Sequence, residues 1–200
     1  LLMKKYILLS LVVALVACQR TPMFTVEGTV SNAEGEMLYL EHTGLVKTVV
    51  VDSCTLKDGG EFALTAPAPQ YPDFYRLRIG TLSLPLAVDS TETINVMTTR
   101  DSLPYTLGIQ GSDNSLIMAK LRATSRNASR EELREEAKHV IAANPASLAA
   151  YYAVFFKQGG QYIWNILDPA ARRMYQAVAT SFNIWMPEYE RTNVLYNQVL

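Results

Sequence analysis

The chain has 200 residues, of which 49% are hydrophobic and 18% charged, and its formal net charge at pH 7 is −1. This balance excludes an intrinsically disordered chain, because the sequence contains enough apolar residues to build a sizeable core. The near-zero net charge also lacks the strongly basic signature of a nucleic-acid-binding protein.

The N-terminus has the features of a bacterial secretion signal. Met3-Lys4-Lys5 is a short positive segment, and residues 7–16 form an apolar run that only Ser10 interrupts. A run of about ten apolar residues is too short to span a bilayer as a helix but suits the core of a signal peptide. The alternatives are an uncleaved anchor helix and an ordinary secretory signal with a coincidental cysteine. The sequence favours a cleaved signal peptide at residues 1–17.

The next feature is a lipid attachment site. Leu15-Val16-Ala17-Cys18 resembles the bacterial lipobox, in which the cysteine thiol receives a diacylglycerol and a peptidase cuts before it. Several acyl chains, at ~0.8 kcal/mol per buried CH₂, anchor a protein stably. We therefore predict lipidation at Cys18 and a lipidated tether at residues 18–22. By analogy with other bacterial lipoproteins, the absence of an aspartate after Cys18 indicates the cell envelope, at the outer membrane and facing the periplasm.

Between residues 23 and 110 the sequence alternates between apolar and polar residues, with turn signals every eight to twelve residues. Pro67, Pro69 and Pro72 exclude their stretch from a central strand. The eight predicted strands cover residues 24–30, 37–41, 47–54, 62–64, 74–79, 82–88, 93–98 and 105–110. Short antiparallel strands of this kind are typical of a β-sandwich or small barrel.

Helical signals begin at Ser112-Asp113, which can cap a first helix. Ser129 with Glu132 forms a capping box for a second helix that ends near residue 143. Three further helices are predicted at residues 146–158, 170–182 and 187–200, after Asn144-Pro145, after Asp168-Pro169 and from Pro187. The predicted fold class is therefore α+β: an antiparallel β-sandwich-like domain at residues 23–110, then a helical region at 112–200.

The segments 24–30, 50–53, 73–77 and 87–92, read with residues 144–152, resemble a domain of unknown function found in Bacteroidetes envelope lipoproteins. In those proteins the domain precedes a thioredoxin-like domain of the alkyl hydroperoxide reductase and thiol-specific antioxidant type. The resemblance implies that such a domain follows residue 200, and the uncapped apolar pair Val199-Leu200 favours the same expectation. The 200 residues contain no Cys-x-x-Cys pair, so no oxidoreductase residue can be assigned here.

No catalytic, cofactor-binding or metal-binding residue is predicted. A Ser-His-Asp triad could combine His42 or His139 with Ser53 and Asp52 or Asp89, but no Gly-x-Ser-x-Gly motif supports it. We expect both histidines to be solvated, and no His or Cys pair has metal-ligand spacing. The polar residues 52–53 and 89–92 are expected to close turns, and Glu27, Glu92 and the other carboxylates form no hydrolytic pair.

If Cys18 is lipidated, Cys54 is the only remaining thiol, so no intrachain disulfide is possible. We predict that Cys54 is a half-buried small hydrophobe and not a redox group. The charged residues 129–138 are expected to be a solvated helix face. The aromatic residues are expected to form core or an inter-domain seam more often than a glycan platform. They are Tyr71, Phe74, Tyr75, Tyr151, Tyr152, Phe155, Phe156, Tyr162, Trp164 and Trp185.

These observations predict a non-catalytic, membrane-anchored module of an envelope lipoprotein. Its expected work is to position, or recruit partners for, a thioredoxin-like thiol-disulfide oxidoreductase domain. The expected partners are the membrane, through the lipid on Cys18, and an envelope protein or the covalently following domain, but not nucleic acid. The alternative is a stand-alone envelope lipoprotein that binds a glycan or another ligand through its aromatic residues. An enzyme without a recognisable motif is the third and weakest reading.

Overall fold

In the first half of the chain apolar and polar residues alternate, and the chain forms strands. In the second half apolar residues recur with the period of a helix, and the chain forms mostly helices. The computed structural model describes residues 21–199, so the predicted signal peptide and Cys18 lie outside the described residues. The strands are β1 (Met23–Ser31), β2 (Met37–Thr43), β3 (Thr48–Thr55), β4 (Glu61–Pro67), β5 (Asp73–Ile79), β6 (Leu82–Val88), β7 (Thr93–Thr99), β8 (Ile109–Gln110), β9 (Lys157–Gln158) and β10 (Gln161–Tyr162). The helices are α1 (Asp113–Thr124), α2 (Arg130–Ala143), α3 (Leu148–Val154), α4 (Pro169–Trp185) and α5 (Glu190–Val199).

The first eight strands form two four-stranded sheets, in the orders β4-β1-β7-β8 and β3-β2-β5-β6. The α+β fold class with a sandwich-like N-terminal part is confirmed. In these two sheets neighbouring strands are antiparallel except for β1 and β7, which run parallel. Gly28 permits the pairing: a Cβ there would lie 2.0 Å from the carbonyl oxygen of Val96, and its φ of +139° suits glycine.

The two sheets enclose one hydrophobic core. Their inner faces contribute side chains at alternating positions, which is why the strands show a period of two. Large side chains that are fully buried here are Phe24, Leu38, Leu40, Leu64, Leu77, Leu84, Leu86 and Ile94. Cys54 at the edge strand β3 packs against this core as a partly buried side chain.

The helices cover part of the outer face of the second sheet. Phe74 of β5 and Ala87 of β6 belong to the core of the helical region and not to the core of the sandwich. Helix α1 is fixed on β6 by two buried serines: the amide of Ala87 donates to Ser115 Oγ at 2.9 Å, and Ser112 Oγ donates to the Ala87 carbonyl oxygen at 2.9 Å. The second sheet thus packs against the sandwich core on one face and against the helices on the other. The division into domains at 23–110 and 112–200 stays a prediction.

Three predicted elements are wrong in extent. Residues 105–110 contain only the two-residue strand β8, because Leu103–Tyr105 forms a 3₁₀ turn with a proline in its first positions. The helix predicted at 146–158 is α3 alone, capped by Ser147, whose side chain accepts from the amide of Ala150. The hairpin β9–β10 follows it, because Gly159 and Gly160 both adopt positive φ, at +59° and +81°.

The last helix also begins later than predicted. Its first residue is Glu190 and not Pro187, because residues 187–189 form a turn in which the amide of Tyr189 donates to the carbonyl oxygen of Met186. The capping box of α2 is present as predicted, with Ser129 and Glu132 bonded to each other's backbone amides. Asp168 caps α4 through the amide of Ala170, also as predicted.

Candidate functional site

Four groups converge on the carboxylate of Asp73. The His42 ring nitrogen Nε2 lies 2.7 Å from Oδ2. The other oxygen, Oδ1, accepts from the amide of Phe74 at 2.8 Å, the hydroxyl of Tyr189 at 2.9 Å and the Nε of Arg191 at 2.9 Å. These partners come from β2, β5, the turn before α5, and α5 itself. We call this group the Asp73 cluster; it ties the last helix to the sandwich.

The electrostatics of the Asp73 cluster favour an ionised aspartate. Burial opposes ionisation, but the hydrogen bonds from His42, the Phe74 amide and Arg191 outweigh it and lower the pKa of Asp73 below its usual range. Burial and the charge of Asp73 raise the pKa of Tyr189, so its phenol remains protonated and donates. The carboxylate thus links strand β2, strand β5 and the last helix through these four partners.

Arg191 extends the link in two further directions. Its guanidinium also donates to the carbonyl oxygen of Thr43 at the end of β2. Its Cζ lies 4.9 Å from the ring centroid of Phe74 and 5.9 Å from that of Tyr151. The residue is only 8% exposed, which is unusual for an arginine unless it is paired. One side chain therefore joins α5 to two strands and to α3.

His42 is only partly solvated. His42 lies in β2, with its side chain 34% exposed, bonded to Asp73 and packed on Tyr75 at a centroid distance of 5.1 Å. The aspartates considered for a triad lie elsewhere. Asp52 accepts from the amides of Ser53 and Thr65, and Asp89 accepts from the side chain of Asn114.

The other individual sites behave largely as predicted. His139 is exposed on α2. Residues 89–92 form a turn as predicted, in which the amide of Asp89 donates to the carboxylate of Glu92 at 2.6 Å. The prediction of a turn is wrong for residues 52–53, which lie within strand β3, although the amide of Ser53 donates to the carboxylate of Asp52 at 2.8 Å. Cys54 is half-buried, and burial together with the charge of Asp52 raises the pKa of its thiol. A raised pKa disfavours the reactive thiolate at neutral pH.

The aromatic residues divide into a seam and an exposed set. Tyr151 packs on Phe74 of the sheet at 5.7 Å and on Phe182 of α4 at 5.5 Å, so the expectation of a seam is confirmed there. Trp164 is also buried, and its indole donates to the carbonyl oxygen of Ala153. The expectation is wrong for Trp185 and Tyr162, which are 74% and 48% exposed.

The charged stretch 129–138 is only partly a solvated face. Arg130 Nη1 donates to the carbonyl oxygen of Tyr162 at 2.7 Å, and Arg134 Nε donates to that of Ile163 at 2.7 Å. Two arginines of α2 thus hold the hairpin β9–β10 and the residue after it. Periodicity could not reveal this role, because the acceptors are backbone atoms about thirty residues away.

Two adjoining cavities lie beside the helices. The first, about 330 Å³, lies between Phe74, Arg76 and Pro85 of the sheet and Tyr151, Tyr152 and Arg191 of the helices; we call it the seam pocket. Thr43 Oγ1 beside it is buried without a hydrogen-bond partner among the described residues. The second is about 400 Å³ and is lined by Tyr105, Arg122, Arg126, Tyr152, Phe155 and Lys157; we call it the arginine pocket. Arg122, Tyr152 and Phe155 line both.

The arginine pocket is basic and partly aromatic. The guanidinium carbons of Arg126 and Arg122 lie 4.8 and 5.6 Å from the ring centroid of Tyr105, and Lys157 Nζ lies 4.4 Å from that of Tyr162. Burial raises the pKa of Tyr152 although Arg122 is near, so this wall is uncharged. The sequence did not predict the pocket, because its cations come from α1, from the turn that follows α1 and from β9. The i, i+4 spacing of Arg122 and Arg126 was the available signal.

Among residues 21–199, no three His, Cys, Asp or Glu side chains are grouped so that they could hold a metal ion. In the same part of the chain, no helix has both the length and the hydropathy needed to cross a bilayer.

The sandwich is the part of the chain that known sequences resemble. Residues 24–117 match the family model of a domain of unknown function, DUF4369. The matched segment contains nearly all of β1 to β8 and the first residues of α1, so it ends where the helices begin to cover the sheet. No curated protein and no solved structure matches the chain.

Proposed function

We propose that this chain is a non-catalytic module of an envelope lipoprotein that holds a thioredoxin-like domain at a fixed position relative to the membrane. The resemblance to Bacteroidetes lipoproteins supports the neighbouring domain, and the lipobox at Cys18 supports the anchor at the outer membrane, facing the periplasm. The observation that carries the proposal is the Asp73 cluster. A module that positions a following domain needs its last helix fixed to its body.

The fixing of α5 is built from both polar and apolar contacts. Arg191 is bonded to Asp73 and Thr43, and Leu195 of α5 is fully buried in the core of the helical region. A domain that is joined to its neighbour only by a flexible linker moves independently of that neighbour. The ion pair and the buried leucine instead hold α5 in a fixed orientation relative to the sheet.

Hydrogen exchange tests this proposal on the mature chain. We expect the amides of residues 194–199 in α5 to be protected nearly as strongly as those of β5. Arg191→Gln should release α5 selectively while β1 to β7 keep their protection. Exposed Arg172 on α4 gives the matched control, since Arg172→Gln removes the same charge without touching Asp73. Rapid exchange of α5 in the unaltered protein would contradict the proposal.

A second candidate is the ligand-binding lipoprotein. The observation that favours it is the pair of adjoining cavities, which combine aromatic walls with arginines. Ligand sites in proteins are commonly concave, partly apolar and furnished with a few polar groups. Binding and positioning are compatible, because the Asp73 cluster borders the seam pocket while the arginine pocket lies beyond it.

A further inference from the structure

We propose that the arginine pocket binds a compact organic polyanion, whose carboxylate, phosphate or sulfate groups are held by Arg122, Arg126 and Lys157. This inference rests on the ligand-binding candidate and names the chemical class of its ligand. The pocket lies outside the Asp73 cluster, so its occupancy does not depend on the positioning function.

The positive charges of the arginine pocket are uncompensated. None of the three cations forms an ion pair with a carboxylate within residues 21–199, whereas Arg76, Arg78, Arg100 and Arg191 all do. No aspartate or glutamate lines the pocket. Arg122 lies in α1 and Arg126 in the turn that follows it, and both guanidinium groups lie over the ring of Tyr105, so their like charges repel each other. A bound anion would remove this repulsion.

The two arginines of the pocket are held in place before any ligand binds. Arg122 is positioned by a hydrogen bond from its Nε to the carbonyl oxygen of Pro104 at 3.0 Å, and both guanidinium groups lie over the ring of Tyr105. A guanidinium that is already ordered loses less entropy when it binds, and its planar fork matches the geometry of carboxylate, phosphate and sulfate oxygens. The pocket is therefore prepared for oxyanions.

The remaining wall of the arginine pocket is apolar. Tyr152 and Phe155 are half-buried and Phe156 is buried, so together they offer an apolar surface beside the cations. A volume of about 400 Å³ accommodates a small organic body and not only an inorganic ion. The formal net charge of −1 for the whole chain gives no long-range attraction for a charged polymer. These features together favour a compact ligand.

Calorimetric titration of the mature protein in nonionic detergent tests the proposal with four probes. Citrate carries several carboxylates, a sulfated disaccharide carries charge on a ring, inorganic phosphate carries charge alone, and the unsulfated disaccharide carries no charge. We expect both organic anions to bind, phosphate to bind more weakly and the neutral sugar not to bind. Whichever organic anion binds with the higher affinity shows whether the pocket prefers carboxylates or a sulfated sugar. Either result supports the proposal.

The variants are chosen so that folding is not disturbed. Arg126 and Lys157 are exposed, and their side chains make no hydrogen bond within the described part of the chain. R126Q and K157Q should each weaken binding of the organic anions roughly tenfold, the loss expected for one charge-assisted hydrogen bond. The double variant R172Q/R173Q removes two exposed charges from α4 and should change binding less than about twofold.

Three results would overturn the proposal: no binding of either organic anion at millimolar concentration, equal binding of the neutral disaccharide, or an equal loss in R172Q/R173Q. Hydrogen exchange on the same samples separates this outcome from the positioning function. Protected α5 amides without anion binding would remove only the ligand. Unprotected α5 amides with retained anion binding would remove only the positioning function.

Discussion

Arg191 in the last helix donates from its Nε to Asp73 Oδ1 at 2.9 Å, although 118 positions separate the two residues in the chain. Asp73 opens strand β5, and Arg191 lies near the start of α5. Closing so long a loop has an entropic cost. This contact and the burial of the helices that it holds must together outweigh that cost. This pair therefore joins strand β5 of the sandwich to helix α5.

Replacing Asp73 by asparagine should destabilise the protein by about 2–3 kcal/mol, because the buried Arg191 would lose its counter-ion and His42 its carboxylate partner. Urea unfolding at neutral pH measures the free energy of unfolding. Asp101→Asn is the matched control, since Asp101 is 89% exposed and its ion pair with Arg100 is a surface contact. Equal, small effects of both substitutions would show that the Asp73 cluster contributes nothing.

The contribution of Asp73 should also depend on pH. Because hydrogen bonding lowers the pKa of folded Asp73, its ionised form stabilises the fold fully above the ordinary aspartate value of about 3.9 and loses this effect as pH falls towards the folded pKa. The difference in unfolding free energy between the unaltered protein and D73N should thus shrink below about pH 4. Urea titrations at a series of pH values measure it. A difference that grows as pH falls has the wrong sign for this mechanism.

The thiol of Cys54 should be unreactive. Burial and the charge of Asp52 raise its pKa, so little thiolate is present at neutral pH. We expect Cys54 to react with a chromogenic disulfide more slowly than glutathione does, and residues 18–200 not to reduce insulin above background. Cys54→Ser supplies the baseline for both assays. Insulin turnover that disappears in this variant would establish a redox function instead.

Lipidation is expected at Cys18 alone. Cys18→Ala should abolish labelling by a radioactive fatty acid and move the protein from the detergent phase to the aqueous phase in a phase-separation assay, because the acyl chains supply the membrane affinity. The chain offers its own control, since Cys54→Ala should keep both the label and the detergent partitioning. Continued labelling of the Cys18→Ala variant would refute the lipoprotein assignment.

The sandwich should depend on the helices for part of its stability. A fragment of residues 23–110 should give a strand-dominated circular dichroism spectrum but melt below the mature chain, because Phe74 and Ala87 would lose their helical cover. Extending the fragment to residue 124 adds α1, which packs on β6, and should recover part of the loss. A helical spectrum for residues 23–110 would contradict the architecture.

Local signals predicted much of this fold. The alternation in β1, β5, β6 and β7 and the capping box at Ser129 and Glu132 involve residues close in sequence, so the pattern itself contains the information. The Gly159-Gly160 pair also carried a hairpin signal, which the helical interpretation of the preceding residues concealed. Elements were therefore predictable where short-range chemistry determines them.

Long-range relationships were not predictable in the same way. Asp73 and His42 lie on different strands. Arg191 is buried in a short amphipathic helix, and none of its neighbours in the sequence indicates that burial. The parallel pairing of β1 with β7 likewise depends on the close approach of Gly28 to Val96, 68 positions later. Because tertiary geometry brings these residues together, periodicity and spacing along the chain could not reveal them.

The place of β1 in its sheet determines how the module would carry mechanical load. Met23 begins β1 five positions after the proposed lipid anchor at Cys18, and β1 is hydrogen-bonded along both edges, to β4 and to β7. Tension from the membrane would therefore enter a central strand along its axis. It would have to break both ladders together, whereas an edge strand could be peeled away one hydrogen bond at a time. The tether thus enters the fold at a point suited to resist pulling.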